Sequence, residues 1–542
     1  MLRLTEIKLP LDHAAEEIPA AICARLDLKP DDLVEFTVFR RGIDARKKSA
    51  IHFTYTLDVA TNRDAELLAR FSADARVVAT PDTSYQFVVR NGGLPSGTPR
   101  PVVIGTGPCG ILAALVLAQM GLRPLMLERG KAVRERTKDT WGFWRNGILD
   151  PESNVQFGEG GAGTFSDGKL YSQIKDPHHL GRKVLTEFVK AGAPDEILYV
   201  SKPHIGTFRL VKMVEHMRAS IESLGGEFRF SSRVDDLLVE DGQVRGLTLG
   251  NGDQIRCDHV ILAIGHSARD TFEMLHARGV HIEAKPFSIG CRIEHPQSLI
   301  DRARYGALAG HPLLGAADYK LVHHAGNGRS VYSFCMCPGG TVVAAASEPG
   351  RLVTNGMSQY SRDERNANSA IVVGITPEDY PGNPLAGIAF QRHWEERAFT
   401  LGGSNYAAPA QLLGDFLLGR ASGAMGSVLP SYKPGVHLCD LASALPDFAL
   451  VAMREAIPAF EKQIRGFNQR DAVLTAVETR TSSPIRIKRN DDDLQSLNTR
   501  GLFPAGEGAG YAGGILSAAV DGIKVAEAVA RALGAASPVC AS

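Results

Sequence analysis

The sequence predicts an α/β fold: a Rossmann-type core, an inserted second α+β domain, and a small N-terminal α+β domain. Three observations carry this. Val102-Val103-Ile104-Gly105-Thr106-Gly107-Pro108-Cys109-Gly110 runs from an apolar strand into a glycine turn. Near the other end, Gly501-Leu502-Phe503-Pro504-Ala505-Gly506-Glu507-Gly508-Ala509-Gly510 and the following Tyr511 to Ile515 read as strand, polar turn and glycine-rich helix start. Between them lies a long mixed region, and 542 residues exceed what one core supports, so about two or three domains are expected.

Residues 1–97 form the first unit. Positions 2–8 alternate like a strand, 14–26 have helical spacing, and 34–39 and 51–59 read as further strands. The turn-rich run Asn91-Gly92-Gly93-Leu94-Pro95-Ser96-Gly97-Thr98-Pro99 is the expected linker. Arg40, Arg41, Arg46, Lys47 and Lys48 make a basic cluster with three readings: a solvated hairpin edge, an anion site, or a nucleic-acid footprint. The unit lacks interleaved aromatics, which weighs against the third.

The core is expected over 98–285 and 470–542. An apolar helix pattern spans 111–120, and a strand at 124–127 ends on Glu128. This is the context a dinucleotide fingerprint requires. Gly105 allows the tight turn, Gly107 admits a pyrophosphate, and Gly110 lets helix pack on strand. The amides at the helix start, beside Pro108, favour an anion. Glu128 can accept from both ribose hydroxyls and would repel a 2′-phosphate, so the cofactor is FAD or NAD; Arg129 is placed beside it. The same glycine spacing recurs at 158–163 and 508–513. The first copy leads into loop. The second opens a helix but has no strand and acid after it.

Further strands are expected at 227–231, Val234–Glu240, 244–249 and 260–264, with hairpin turns at Asp241-Gly242 and Asn251-Gly252. A second domain with its own strands and helices fills 286–469, and the chain returns to the core for a last helix at 515–533. The segment at 501–515 decides for flavin. Gly506 and Glu507 fit the acid turn that holds a ribityl chain, and amides near Gly513, Gly514 and Ile515 can face the flavin N1/O2 edge. Gly265 and His266 follow a strand of the kind placed beside the pyrophosphate, and Val234 sits where a backbone adenine contact is made. Residues 158–169 read as a loop over pyrophosphate and flavin, contributing Gly160, Gly161, Thr164, Ser166, Gly168 and Lys169. Gly163 to Lys169 begins like a P-loop, but Leu170 replaces the Ser or Thr that binds magnesium, so a nucleoside triphosphatase is excluded.

Composition sets further bounds. Lys plus Arg equals Asp plus Glu at 60 each, so no global field favours nucleic acid or membrane. The N-terminus has no apolar signal region, and the longest apolar run, 111–118, is too short to span a bilayer. The eight cysteines are scattered apart from Cys335 and Cys337, so a reducing cytoplasm is the expected location.

Together these motifs resemble the FAD-dependent dehydrogenase family of bacterial and plastid flavoproteins, distant relatives of the fumarate-reductase and glutathione-reductase types. The resemblance covers nearly the whole chain. It rests on Arg41-Gly42-Ile43-Asp44-Ala45-Arg46-Lys47, the fingerprint, Phe157-Gly158-Glu159-Gly160-Gly161-Ala162-Gly163-Thr164-Phe165-Ser166-Asp167-Gly168-Lys169-Leu170, Tyr332-Ser333-Phe334-Cys335-Met336-Cys337-Pro338-Gly339-Gly340, Asn355-Gly356-Met357-Ser358, Glu478-Thr479-Arg480-Thr481-Ser482-Ser483-Pro484 and the final glycine segment. Gly42 departs from the serine usual there. The resemblance implies bound FAD and an oxidoreductase, and supplies no substrate.

Candidate catalytic residues come from the second domain and the segment after it. Cys335 and Cys337 on one strand would share a face with α-carbons about 6.6 Å apart, near the upper limit for a disulfide. They read as a redox dithiol if the chain bends, or as two structural thiols; zinc spacing is absent and no metal is expected. Arg292, Glu294 and His295, and separately Arg480, can bind an acidic substrate or move protons, or can be satisfied ion pairs. The expected function is hydride transfer between a small organic substrate and flavin N5, with NAD(P)H or another electron donor or acceptor binding only transiently. The alternatives are a FAD monooxygenase using NAD(P)H and dioxygen, and a FAD-containing protein binding RNA or a partner through the basic N-terminal unit.

Overall fold

The computed structural model describes residues 1–89, 93–94 and 97–534. The first unit runs Leu2–Pro10, Glu17–Leu26, Leu33–Asp44, His52–Thr61, Asp64–Arg70 and Val77–Ala79, in the order strand, helix, two strands, helix, strand. Its sheet is antiparallel, with Leu2–Pro10 between His52–Thr61 and Val77–Ala79 and Leu33–Asp44 at the edge. This is the ferredoxin-like arrangement. Alternation explains its core: Leu2, Leu4, Leu57 and Val59 are fully buried with Ile22, Leu26 and Leu67 of the helices.

The other sheet face is occupied too. Arg3 pairs with Asp58 at 2.7 Å and lies 3.5 Å from the Phe39 ring, which Arg182 of the core also covers at 5.2 Å. Arg41 donates its amide to Tyr199 O at 2.6 Å, and its carbonyl accepts from Ser201 N at 2.9 Å. The basic cluster therefore divides. Arg41 docks the unit on the core, while Arg46 pairs with Asp44 at 2.5 Å on the exposed hairpin. Arg40, Lys47 and Lys48 of the cluster are exposed.

Of the expected linker, Asn91, Gly92, Pro95 and Ser96 lie outside the described residues. Ahead of it, Tyr85 already donates to Glu527 Oε1 at 2.9 Å, and Lys183 Nζ lies 5.0 and 4.9 Å from the Tyr85 and Phe87 rings. Attachment to the core thus begins before residue 97.

The core sheet has five parallel strands in the order Leu502–Pro504, Val260–Leu262, Val102–Ile104, Leu125–Leu127 and Glu227–Arg229. The residues of the first four are apolar and buried, as a sheet covered on both faces requires, whereas the edge strand Glu227–Arg229 is partly exposed. The register sets Pro504, Leu262, Ile104 and Leu127 side by side. The loops after all four strands therefore open at one edge, where open α/β sheets bind ligands. Helices Pro108–Gln119 and Ile515–Ala532 pack against each other; a Cβ on Gly522 would come within 2.2 Å of Cys109 O. An antiparallel three-stranded insert, Val234–Glu240, Gln243–Leu249 and Gln254–Arg256, turns at the two expected hairpins.

The inserted domain is built on a seven-stranded sheet: Val322–His324, Ser330–Cys337, Asn366–Ile375, Phe287–Pro296, Val473–Glu478, Ala408–Leu412 and Val436–Leu438. Val473–Glu478 sits inside this sheet, paired on both sides. The return at 470 is thus too early: the chain leaves this sheet only after Glu478 and meets the core again at Ile485–Ile487, which pairs with Ile282–Ala284. No described helix is long and apolar enough to cross a membrane.

Candidate active site

The edge of the parallel sheet opens into one cleft of about 370 Å³ that continues under the inserted domain. Gly105, Gly107, Pro108, Glu128, Arg129, Gly161, Ser166, Gly168, Lys169, Val234, Gly265, His266, Glu507, Gly513, Gly514 and Ile515 all line it. Four other expected cofactor residues lie behind the wall. Gly110 packs on backbone, where a Cβ would fall 1.9 Å from Gly105 O, and Gly506 packs on a side chain, where a Cβ would fall 2.9 Å from Cys109 Cβ. Gly160 is pressed against Thr164, whose buried hydroxyl has no partner among the described residues.

Two helix N-termini, at Pro108 and Ile515, meet in this cleft, and neither carries a side-chain cap. Their first amides have no intrahelical partner, and their dipoles add at one place. The Cβ positions of Gly513 and Gly514 face open space, with nothing within 4 Å. Glu128, only 5% exposed, is held rigidly: Oε2 accepts from Thr106 N at 2.9 Å and Thr106 Oγ1 at 2.7 Å, and Oε1 from Gly130 N at 2.9 Å and Gly158 N at 3.0 Å. Uncapped amides beside a fixed carboxylate suit a dinucleotide with free ribose hydroxyls. The residues present thus fit FAD.

Loop 154–159 is shaped by one side chain that sequence reasoning missed. Arg136 is fully buried, and donates to the carbonyls of Asn154 at 2.8 Å, Val155 at 2.7 Å, Gly158 at 3.1 Å and Glu159 at 2.7 Å. Nothing local marks it, because its partners are distant carbonyls. Replacing Arg136 by Met should destabilise the protein by about 2–4 kcal/mol, since buried acceptors lose charged donors. A lower denaturation midpoint, with weaker flavin retention, is the expected measurement.

The far end of the cleft is lined by Lys169, Phe334, Cys335, Asn355, Glu478 and Arg480. Burial pushes the Lys169 ammonium down, but Asp167, Cys335 and Cys337 outweigh it and hold it above its ordinary value. Burial also raises Asp167, yet Arg362, 2.6 Å away, and Lys169 bring it below the usual carboxylate range. Burial pushes Glu478 up to about 7 against the pull of Arg292, whose Nε lies 2.5 Å from Oε2. Burial likewise lifts Glu507 to about 7, opposed by Lys285. His266 is driven down to about 3 by burial and by Arg480 and Arg269, so its imidazole is neutral.

Four expected catalytic residues do not line the cleft. Arg292 lies beneath it, fully buried, bonded to Glu478, Asn355, Asn368 and Cys335 O. Glu294, one alternation further along the strand, accepts from Asn366 Nδ2 at 2.9 Å and Ser431 Oγ at 2.5 Å. His295 projects to the opposite face, where its Nε2 meets Phe467 O at 2.7 Å. Glu294 and His295 are interior residues of a fully buried strand, not substrate ligands. Cys337 is buried behind Cys335. Glu478 and Asp167 stand in the motifs without a role that local spacing declares. Glu478 meets Arg292 across 186 residues and Asp167 meets Arg362 across 195.

Fold and cleft together define a FAD-dependent oxidoreductase. Residues 286–481 match the family described as FAD-dependent protein, C-terminal domain-like, and residues 162–299 match flavin containing amine oxidoreductase. Residues 1–60 match a domain of unknown function. An uncharacterized protein of Clostridium beijerinckii is 49% identical over 532 residues, covering 97% of this chain and 98% of its own. The chain belongs to that family of FAD-dependent proteins. Similar solved structures include L-amino acid deaminase from Proteus vulgaris, with 13% identity, 84% of this chain and 98% of the other covered, and a TM-score of 0.38. Another is L-proline dehydrogenase from P. horikoshii, at 11% identity, 80% and 94% coverage, and a TM-score of 0.34.

Proposed function

We propose that the protein oxidises or reduces a small organic molecule by hydride transfer at the flavin. One observation carries this reading: the glycine turn after Ile104, the helix start at Ile515 and the polar wall of the inserted domain share one cleft. Gly105, Gly107, Pro108 and Gly161 would hold the pyrophosphate, Glu128 and Arg129 the adenosine side, and Glu507 with Gly513, Gly514 and Ile515 the ribityl and ring. Bound FAD supplies a two-electron acceptor at N5. The chain's task is to place the substrate and manage its proton.

Glu478 is the base best suited to that task. It lines the cleft, is held bidentately by Arg292, and is pushed up to about 7 by burial. A base works best with its pKa near the operating pH. Below about pH 7 the carboxylate is protonated and cannot accept, so flavin reduction should slow as pH falls through neutrality. Glu478→Gln should slow it by about 10²–10⁴-fold and remove that limb of the pH profile. Stopped-flow flavin reduction across pH 5–9 tests this. An unchanged limb in the variant would assign it to another group.

The substrate class is tested by mixing the FAD-loaded protein anaerobically with amines, amino acids and hydroxy acids. The expected result is bleaching by one class without NAD(P)H. Turnover only with NAD(P)H and dioxygen, stimulated by an aromatic compound, would replace this reading with monooxygenation.

A further inference from the structure

The strand Ser330–Cys337 carries two thiols that the proposed reaction leaves unused. A regular strand would present both to one face. The structure breaks that regularity: pairing with Asn366–Ile375 shifts register between Phe334 and Cys337. Cys335 has φ of +44°, a left-handed conformation rare outside glycine. Such backbone outliers cluster at functional sites.

Two cations hold the bend. Arg292 Nη1 donates to Cys335 O at 2.8 Å, and Lys169 Nζ donates to Met336 O. Cys337 folds back so that its thiol donates to Cys335 O at 3.3 Å. The outcome is an asymmetric pair. Cys335 is partly exposed in the cleft wall beside Lys169 and Glu478, and Cys337 is buried directly behind it.

The other buried thiols differ. Burial first, and nearby carboxylates second, drive Cys109, Cys257 and Cys291 above their ordinary values. At Cys335 the contact with Cys337, together with Lys169 and Arg292, overcomes burial and keeps the thiol well below its ordinary value, while Cys337 is raised. One thiol in the cleft wall held below its ordinary value, with a second thiol raised behind it and two cations at the bend, is the arrangement of reactive rather than structural cysteines.

We propose that Cys335 and Cys337 form a redox-active dithiol that exchanges two electrons with the flavin in the same cleft. Oxidation forms one S–S bond and breaks the remaining S–H bond. Counted from the dithiol, two electrons and two protons leave and pass to the oxidised flavin. The reverse reaction takes two electrons and two protons from reduced flavin and restores both thiols. The two cations serve both directions, because they stabilise the thiolate that attacks and the thiolate that leaves. The proposal rests on FAD occupying this cleft.

The test uses the full-length, FAD-loaded protein under anaerobic conditions. Samples are quenched in acid, alkylated in denaturant before and after reduction, and mapped by mass. Flavin and thiols are titrated together with dithionite. The expected uptake is about four electrons per flavin, against about two for Cys335→Ser and for Cys337→Ser. The peptide carrying both cysteines should resist alkylation until reduced, whereas Cys257→Ser should leave the titration unchanged. Uptake of about two electrons by the unsubstituted protein, with both cysteines always alkylated, would overturn the proposal. So would a bond closed by diamide that never responds to the flavin. Flavin placement is judged separately, by the colour of a Gly107 variant.

Discussion

Gly107→Val should yield a folded protein without its yellow cofactor. Gly107 has φ of −72°, open to any residue, and a Cβ there would meet only Gly161 Cα at 3.7 Å, an ordinary contact. The fold therefore does not require glycine at this position. What requires it is the group that approaches the backbone in the cleft. A branched side chain would fill that approach and turn the amides at the helix start away from an anion. Its neighbours behave differently. Gly105 has φ of +97°, and a Cβ would fall 2.4 Å from Ala263 O; at Gly110 it would fall 1.9 Å from Gly105 O. Valine at either of those positions should unfold the core.

The three variants thus separate two roles of one motif. Gly107→Val should keep the circular dichroism and melting behaviour of unloaded protein while losing flavin absorbance. Gly110→Val should be insoluble or unfolded. If Gly107→Val retains a full complement of flavin, the pyrophosphate lies elsewhere and the assignment of this cleft falls.

The core was legible because its signals are local. The turn at 105–110, the strand ending at Glu128 and the hairpin glycines each declare themselves within a few residues, and the structure sets them where their spacing implied. Gly513, Gly514 and Ile515 stand out by composition, as a run of small residues before an apolar helix, and all three line the cleft. The reactive end was less so. Cys335 reaches the cleft only through a register shift, and alternation cannot foresee a bulge. Glu294 and His295 have the composition of a substrate site, yet their strand is buried on both faces and takes their polar atoms inward. Arg136 serves four carbonyls that no motif records. The inserted domain's boundary failed for the same reason: Val473–Glu478 pairs with Phe287–Pro296, about 180 residues earlier and beyond any local pattern.

Glu395→Gln should strongly destabilise the protein although it removes no side-chain volume. Glu395 is completely buried between Arg269 at 2.7 Å and Arg480 at 3.1 Å, themselves 1% and 3% exposed at the side chain. Arg269 begins a core helix, Glu395 lies on the inserted domain's helix Ala386–Leu401, and Arg480 lines the cleft. The triad therefore clamps the two domains and sets the segment that carries Glu478. The amide substitution keeps the volume but leaves two buried guanidinium groups to share Glu348. Breaking a buried pair in this way costs about 3–5 kcal/mol. Adding Arg269→Met should recover part of the loss, because it removes one of the stranded charges.

The pH dependence gives an independent check. Burial raises the Glu395 carboxyl, but Arg269 and Arg480 outweigh burial and hold it well below the carboxylate range. A depressed folded-state value contributes stability that is full above the unfolded carboxyl value of about 4.3 and is lost as pH falls below it. The unsubstituted protein should therefore weaken steeply from about pH 5 downward. Glu395→Gln should start lower and show a shallower acid limb. Denaturant midpoints measured from neutrality down to pH 4 decide it. Equal acid slopes in the two proteins would mean that other carboxylates carry the acid sensitivity and that this clamp is not what joins the domains.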